Sequence, residues 1–197
     1  MGVDDKEGEA TQNSAHGRIS DISYSIRSGM SKFRSVMLAA IPAVAAALLI
    51  FAVLGRPVPA PQVTFVSLKG EKIATADLRG KVVLVNFWAT DCVICIKEMP
   101  EMARTYERYR ERGLEFVAVA MKHDPPNYVI AYAEKNRLPF RVALDPLGEL
   151  AQAFGDVRFT PTTFVIDRRG KIVSRIQGEP DFARLNALLE EKLNEPV

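Results

Sequence analysis

The sequence predicts an α/β fold in which helices flank a mixed central sheet, preceded by one N-terminal membrane-spanning helix. Three features carry that expectation. Residues 36–54 form an uncharged apolar run; Lys81–Trp88 and Leu114–Met121 are strand-length apolar runs with a helical pattern between them; and a hairpin followed by an amphipathic helix occupies the C-terminal part. With 48% apolar and 25% charged residues the 197-residue chain has the balance of a folded protein. Net charge is only +2, and from Lys69 onward basic and acidic residues alternate, so no nucleic-acid-binding stripe stands out.

Residues 1–35 are rich in Ser, Gly, Asp and Glu and read as a disordered tail. The run Val36 to Leu54 has no polar face over five turns, unlike a buried core helix. At 1.5 Å per residue it reaches about 28 Å, close to the hydrocarbon thickness of a bilayer. A cleaved signal peptide ending near Val53-Leu54-Gly55 is the competing reading, but the 35 residues before the run are long for a signal sequence. Arg18, Arg27, Lys32 and Arg34 precede the run, whereas only Arg56 follows it before Lys69. Cations favour the inner side, so the tail is expected in the cytoplasm. For a bacterial inner membrane, the rest of this single-pass chain then lies in the oxidising periplasm. The prolines of residues 55–61 suit an extended, semi-rigid spacer.

Residues 62–197 fit one domain. Lys81–Trp88 reads as a central strand covered on both faces. A helix is expected from near Val93, with Met99, Met102, Tyr106 and Tyr109 as its apolar face and Gly113 as its left-handed cap. Leu114–Met121 is the next strand, and a strand, helix and strand of these lengths make a right-handed parallel crossover. A helix over about Asn127 to Asn136, a short strand at Phe140–Leu144 and a brief helix ending at Phe154 follow. Thr162–Ile166 and Lys171–Ile176 read as strands joined at Asp167-Arg168-Arg169-Gly170. The final helix, Asp181 to Leu193, has Asp181 as N-cap and Leu185, Leu188, Leu189 and Leu193 as its buried stripe.

The chain has two cysteines, Cys92 and Cys95, with two residues between them. At a strand-to-helix turn this spacing lets the sulfurs bond without large backbone movement. Cys92 would sit at the open helix N-terminus, where unpaired N–H groups stabilise a thiolate, and Cys95 one turn in as the resolving thiol. A purely structural bridge is a weak competitor, because a loop of two residues constrains the unfolded chain little. Zinc normally takes four ligands, and beyond the pair there are only His16 and His123. A Cu(I)-binding metallochaperone using both thiolates, assisted by Met121 and His123, is the non-enzymatic alternative. Otherwise His123 reads as a surface residue.

The segment Gly80 to Pro100, which contains Asn86-Phe-Trp-Ala-Thr-Asp-Cys-Val-Ile-Cys95, together with Phe159-Thr-Pro-Thr-Thr-Phe-Val-Ile-Asp167, resembles the TlpA/ResA branch of the thioredoxin superfamily over residues 62–195. The resemblance implies a thioredoxin-like fold and a membrane-anchored thiol:disulfide oxidoreductase. It further implies reduction of protein disulfides, for example in cytochrome c or copper-site assembly, with electrons from a membrane-bound donor and no bound cofactor or metal. It places Pro161, after Thr160, at the family's cis-proline, which shapes the surface that receives substrate backbone. Glu98 matches a carboxylate close to the cysteines, suited to tuning them or relaying a proton. Its alternative is an exposed first-turn glutamate. Trp88 matches an aromatic that packs beside the pair and counts with Asp91, Thr160 and Pro161 as a candidate for substrate contact, plain core being its alternative; Pro100 matches a helix kink. Asp91 and Ile94 stand where the family commonly has Trp and Pro. Asp91 is expected to oppose thiolate formation at Cys92 and, without the aromatic, to alter partner contacts. A thiol peroxidase of the same superfamily would usually carry Thr where this chain has Ala89.

Overall fold

In the computed structural model, residues 58–196 are described, so the expected tail, the apolar run 36–54 and the start of the spacer lie outside the described part. Among the described residues no helix is long and apolar enough to cross a membrane.

The strands are β1 (Val58–Pro59), β2 (Thr64–Val66), β3 (Lys72–Ala74), β4 (Val82–Trp88), β5 (Leu114–Ala120), β6 (Arg141–Leu144), β7 (Thr162–Ile166) and β8 (Lys171–Gln177). The α-helices are α1 (Val93–Tyr109), α2 (Pro126–Lys135), α3 (Glu149–Ala153) and α4 (Phe182–Asn194). Six strands form one sheet in the order β1-β8-β7-β4-β5-β6, and β2 and β3 form a separate hairpin. β4, β5 and β6 run parallel, and β7 runs antiparallel to β4. The mixed sheet and the parallel crossover are therefore present as expected.

Side-chain alternation on the central strands divides the core. Val82, Leu84, Trp88, Leu114, Phe116, Ala118 and Ala120 pack on one face against α1, α2 and α4. Val83, Val85, Phe87, Val117, Val119 and Met121 pack on the other, against α3 and the β2-β3 hairpin. Burial on both faces is why these strands read as continuous apolar runs.

α1 ends in a 3-10 turn, Arg110–Arg112, and Gly113 takes the left-handed φ of 101° that the cap position needs. Asp181 caps α4 by accepting from the N–H groups of Ala183 and Arg184. Two features differ from expectation. Val58 and Pro59, within the expected spacer, pair with Ile172 and Lys171 at the edge of the sheet, and Ala60 is buried. Proline belongs on such an edge, where its missing N–H costs no ladder bond. The β2-β3 hairpin carries no sequence signal, because each three-residue strand buries a single apolar residue, Phe65 or Ile73.

Candidate functional site

β4 delivers the cysteines. Leaving the sheet after Trp88, the chain turns so that the Cys92 N–H donates to the Ala89 carbonyl at 3.2 Å. The helix begins at once, with the Cys92 carbonyl accepting from Ile96 N–H at 3.0 Å. Cys92 is the N-cap of α1, and its Sγ accepts from the backbone N–H of Cys95 at 3.2 Å. The two sulfurs are bonded, with Cα atoms 5.2 Å apart. Cys92 is half-buried at the lip, while Cys95 is fully buried. One sulfur at the surface and a second buried behind it are the relative positions their spacing predicts.

Pro161 follows a cis Thr160–Pro161 peptide bond, as the resemblance implies. The antiparallel register of β4 with β7 pairs Phe87 with Thr162, and continued by one step it sets Pro161 opposite Trp88, on the approach to Cys92. Thr162 Oγ1 donates to the Phe159 carbonyl at 2.7 Å, and Gly178 N–H donates to the Pro161 carbonyl at 2.8 Å, which fixes the turn. Pro161 is buried and Thr160 half-buried.

Glu98 is not an exposed first-turn glutamate. One turn beyond Cys95 on the same face of α1, it is only 1% exposed. Its Oε1 accepts from Asn86 Nδ2 at 3.0 Å, and the same amide donates to Thr163 Oγ1 at 2.9 Å. Glu98 Oε2, Asn86 Oδ1 and Trp88 Nε1 find no hydrogen-bond partner within the described residues. Burial pushes the Glu98 carboxyl up to about 7, against the pull of the Asn86 hydrogen bond and with a smaller push from Glu179. Glu179 is itself held by Lys97 at 2.8 Å.

That shift has a consequence for stability. The folded protein holds the Glu98 proton more tightly than the unfolded chain does, so stability falls as pH rises from the ordinary glutamate value through about 7. The full effect is up to about 3 kcal/mol, from about 1.4 kcal/mol per pKa unit. Urea midpoints measured at pH 5 and pH 8 should fall with pH for the wild type and differ less for Glu98→Gln.

Asp91 is exposed and lies beside His123, with Oδ1 to Nε2 at 3.5 Å. The next pair along the same two loops is tighter: buried Asp124 accepts from Thr90 N–H at 2.6 Å and from Thr90 Oγ1 at 2.5 Å. The residues just before Cys92 are thus clasped to the loop after β5.

Of the two readings of Trp88 the core one holds and substrate contact does not: the side chain is fully buried, its ring 5.3 Å from the Tyr132 ring, and serves as floor beneath the pair. Met121 packs on the face of the sheet opposite Cys95, which separates it from the thiols it was expected to assist in copper binding. Among the described residues no group of three or more His, Cys, Asp or Glu side chains is arranged to hold a metal ion. Asn86, Thr163 and Asp124 were not singled out from the sequence. For Asn86 a signal existed: it is the one polar residue in the apolar strand β4.

Residues 55–189 match the model of the Redoxin family. The thiol-disulfide oxidoreductase ResA of Bacillus thuringiensis is 36% identical over 133 residues, covering 67% of this chain and 75% of the relative. ResA of Bacillus anthracis is 38% identical over 139 residues, with the same coverage. Among solved structures, a thiol:disulfide interchange protein of the thioredoxin family from Chlorobium tepidum superposes with a TM-score of 0.65 at 31% identity, covering 71% of this chain and 98% of the other. StoA from Bacillus subtilis superposes with a TM-score of 0.57 at 25% identity, covering 67% and 98%.

Proposed function

Given that the chain belongs to the redoxin family, as a thiol-disulfide oxidoreductase of the TlpA/ResA-like branch, we propose that it reduces disulfides of partner proteins from the outer face of a bacterial inner membrane. The observation that carries the chemistry is the sulfur pair itself, with Cys92 at the lip of the α1 N-terminus and Cys95 buried on the face that carries Glu98.

In the reduced protein the Cys92 thiolate attacks one sulfur of a substrate disulfide. That S–S bond breaks, the second substrate sulfur leaves as a thiolate, and a mixed disulfide forms. Cys95 then gives up its proton, for which the Glu98 carboxylate is the acceptor, and attacks the Cys92 sulfur. The substrate departs with both of its sulfurs reduced. Two electrons have passed from the dithiol to the substrate, leaving the Cys92–Cys95 disulfide seen here. A membrane-bound dithiol donor restores the pair by the same steps in reverse. Glu98, with its pKa near 7, can both take and return the proton near neutral pH. Thr160 and Pro161 offer the ledge against which the substrate backbone lies, and Asp91 flanks its entry. Assembly of cytochrome c or of a copper site is the setting that the family resemblance suggests.

Tethering by the uncharged run 36–54, with the tail 1–35 in the cytoplasm, rests on hydropathy and the cation bias. A reporter fused after Val197 should be active only in the periplasm; a reporter active in the cytoplasm would reverse this orientation. Direction is read from the reduction potential of the Cys92/Cys95 couple. A value near or below about −270 mV is expected for a reductase, whereas one approaching about −120 mV would make the protein a disulfide donor.

A further inference from the structure

The loop that presents Cys92 is short: Ala89, Thr90 and Asp91 alone separate the end of β4 from the N-cap of α1. The two sulfurs are not held alike. Cys95 is fully buried in the core between α1 and the sheet, whereas Cys92 is half-buried and only partly packed against it. Once the bond to Cys95 opens, the position of Cys92 depends on what holds its loop.

Both donors of Thr90 go to one carboxylate. Its N–H donates to Asp124 Oδ2 at 2.6 Å and its Oγ1 to Asp124 Oδ1 at 2.5 Å, and Asp124 is only 5% exposed. Hydrogen bonds to a carboxylate are among the stronger ones. Asp124 is itself tied back to the sheet: its N–H donates to the Met121 carbonyl at 2.9 Å, and Met121 N–H donates to the Trp88 carbonyl at 3.0 Å. Trp88, Met121, Asp124 and Thr90 thus close a ring that joins the last residue of β4 to the loop leaving it. The contact of Asp91 with His123 on the same two loops is exposed and 3.5 Å long, and an exposed pair of that kind holds little. The loop is therefore held from beneath, by a buried group anchored in the sheet.

We propose that Asp124, acting through Thr90, is a positioning residue for the second half of the reaction, holding Cys92 against Cys95 while the disulfide between them forms. In that step the Cys95 sulfur bonds to the Cys92 sulfur, the bond from Cys92 to the partner sulfur breaks, and the partner leaves as a thiolate. The step is intramolecular, so its rate and equilibrium follow how often the two sulfurs stand within reach of one another. A clasped loop keeps them there and makes the dithiol the stronger reductant. The first attack, on a disulfide arriving from solvent, sets no such demand on the distance from Cys92 to Cys95. The inference rests on the thiol-disulfide reading above and assigns to that site two residues that act on closure rather than on attack.

The test uses the full chain in detergent, reduced and then mixed with glutathione disulfide in a stopped-flow instrument. The rate at low glutathione disulfide reports attack by Cys92, and the plateau at high concentration reports closure by Cys95. Asp124→Ala should slow closure about tenfold while changing attack by less than about twofold. Its equilibrium constant for forming the Cys92–Cys95 disulfide should fall by the same tenfold, which raises the reduction potential of this two-electron couple by about 30 mV. Thr90→Val keeps the backbone bond to Asp124 and loses the hydroxyl one, so it should move both quantities the same way by a smaller factor. Asp124→Asn can still accept from Thr90 N–H and can donate to Thr90 Oγ1, and it should stay within about twofold of the wild type. Closure and potential unaltered in Asp124→Ala, or attack and closure slowed equally, would overturn the positioning role while leaving the redox function standing. A shift in Asp124→Asn as large as in Asp124→Ala would assign the effect to the charge of Asp124 and overturn the clasp. Absence of any exchange with glutathione disulfide in the wild type would remove the redox reading and this inference together.

Discussion

Replacing Cys92 with serine should abolish disulfide exchange, whereas replacing Cys95 should stop it halfway. Cys92 is the half-buried sulfur at the N-cap of α1, and no other thiol in the chain can open a substrate disulfide in its place. A serine hydroxyl stays protonated near neutral pH, so turnover in Cys92→Ser should drop to background, a loss of at least about 10³-fold. Cys95→Ser keeps the attacking thiol and loses the one that resolves the intermediate. It should accumulate covalent adducts with substrate that survive non-reducing electrophoresis and disappear on adding dithiothreitol. Adducts in Cys92→Ser but not in Cys95→Ser would exchange the roles of the two sulfurs.

The second large effect concerns Glu98. Because its carboxyl titrates at about 7, the fraction present as a carboxylate able to accept a proton falls as pH drops through that value. Release of substrate from the mixed disulfide should therefore slow as pH falls through about 7 in the wild type. Glu98→Gln preserves the shape and can still accept the Asn86 amide hydrogen bond, but it cannot take up the proton. Release at pH 8 should fall by about 10²-fold, and the inflection belonging to Glu98 should vanish. Stopped-flow measurement of mixed-disulfide decay from pH 5 to 9 makes the comparison, with the first attack by Cys92 as internal reference. An inflection that survives in Glu98→Gln would assign it to another group and remove Glu98 from the proton path.

Much of this site is legible in the sequence because its parts are local. The cysteine spacing, the strand before it and the helix after it are consecutive, and the periodicity of Met99, Met102 and Tyr109 matches the buried face of α1. Pro161 is legible through its motif before an apolar strand. The polar cluster beneath the cysteines is harder to read, because Asn86, Glu98 and Thr163 come from three elements up to 77 residues apart and meet only after the sheet forms. Burial of Glu98 is harder to read than its position: its spacing from Cys95, Met99 and Met102 puts it on the buried face of α1, while a glutamate by its residue type points to solvent. Trp88 is open to two readings for the converse reason. An aromatic next to a reactive motif looks like a contact residue until strand alternation turns it into the core.

The Asn86–Glu98–Thr163 cluster also sets what this fold gives up to work. Asn86 and Glu98 are buried beside a sheet otherwise packed with valine, leucine and phenylalanine, and each has an oxygen without a partner among the described residues. Apolar side chains of similar volume in those places would remove that desolvation penalty and give a sturdier domain. Such a variant, selected for heat tolerance alone, would gain melting temperature by losing its internal proton reservoir. In this domain the search for a more stable sequence and the search for a faster one diverge at the same two residues.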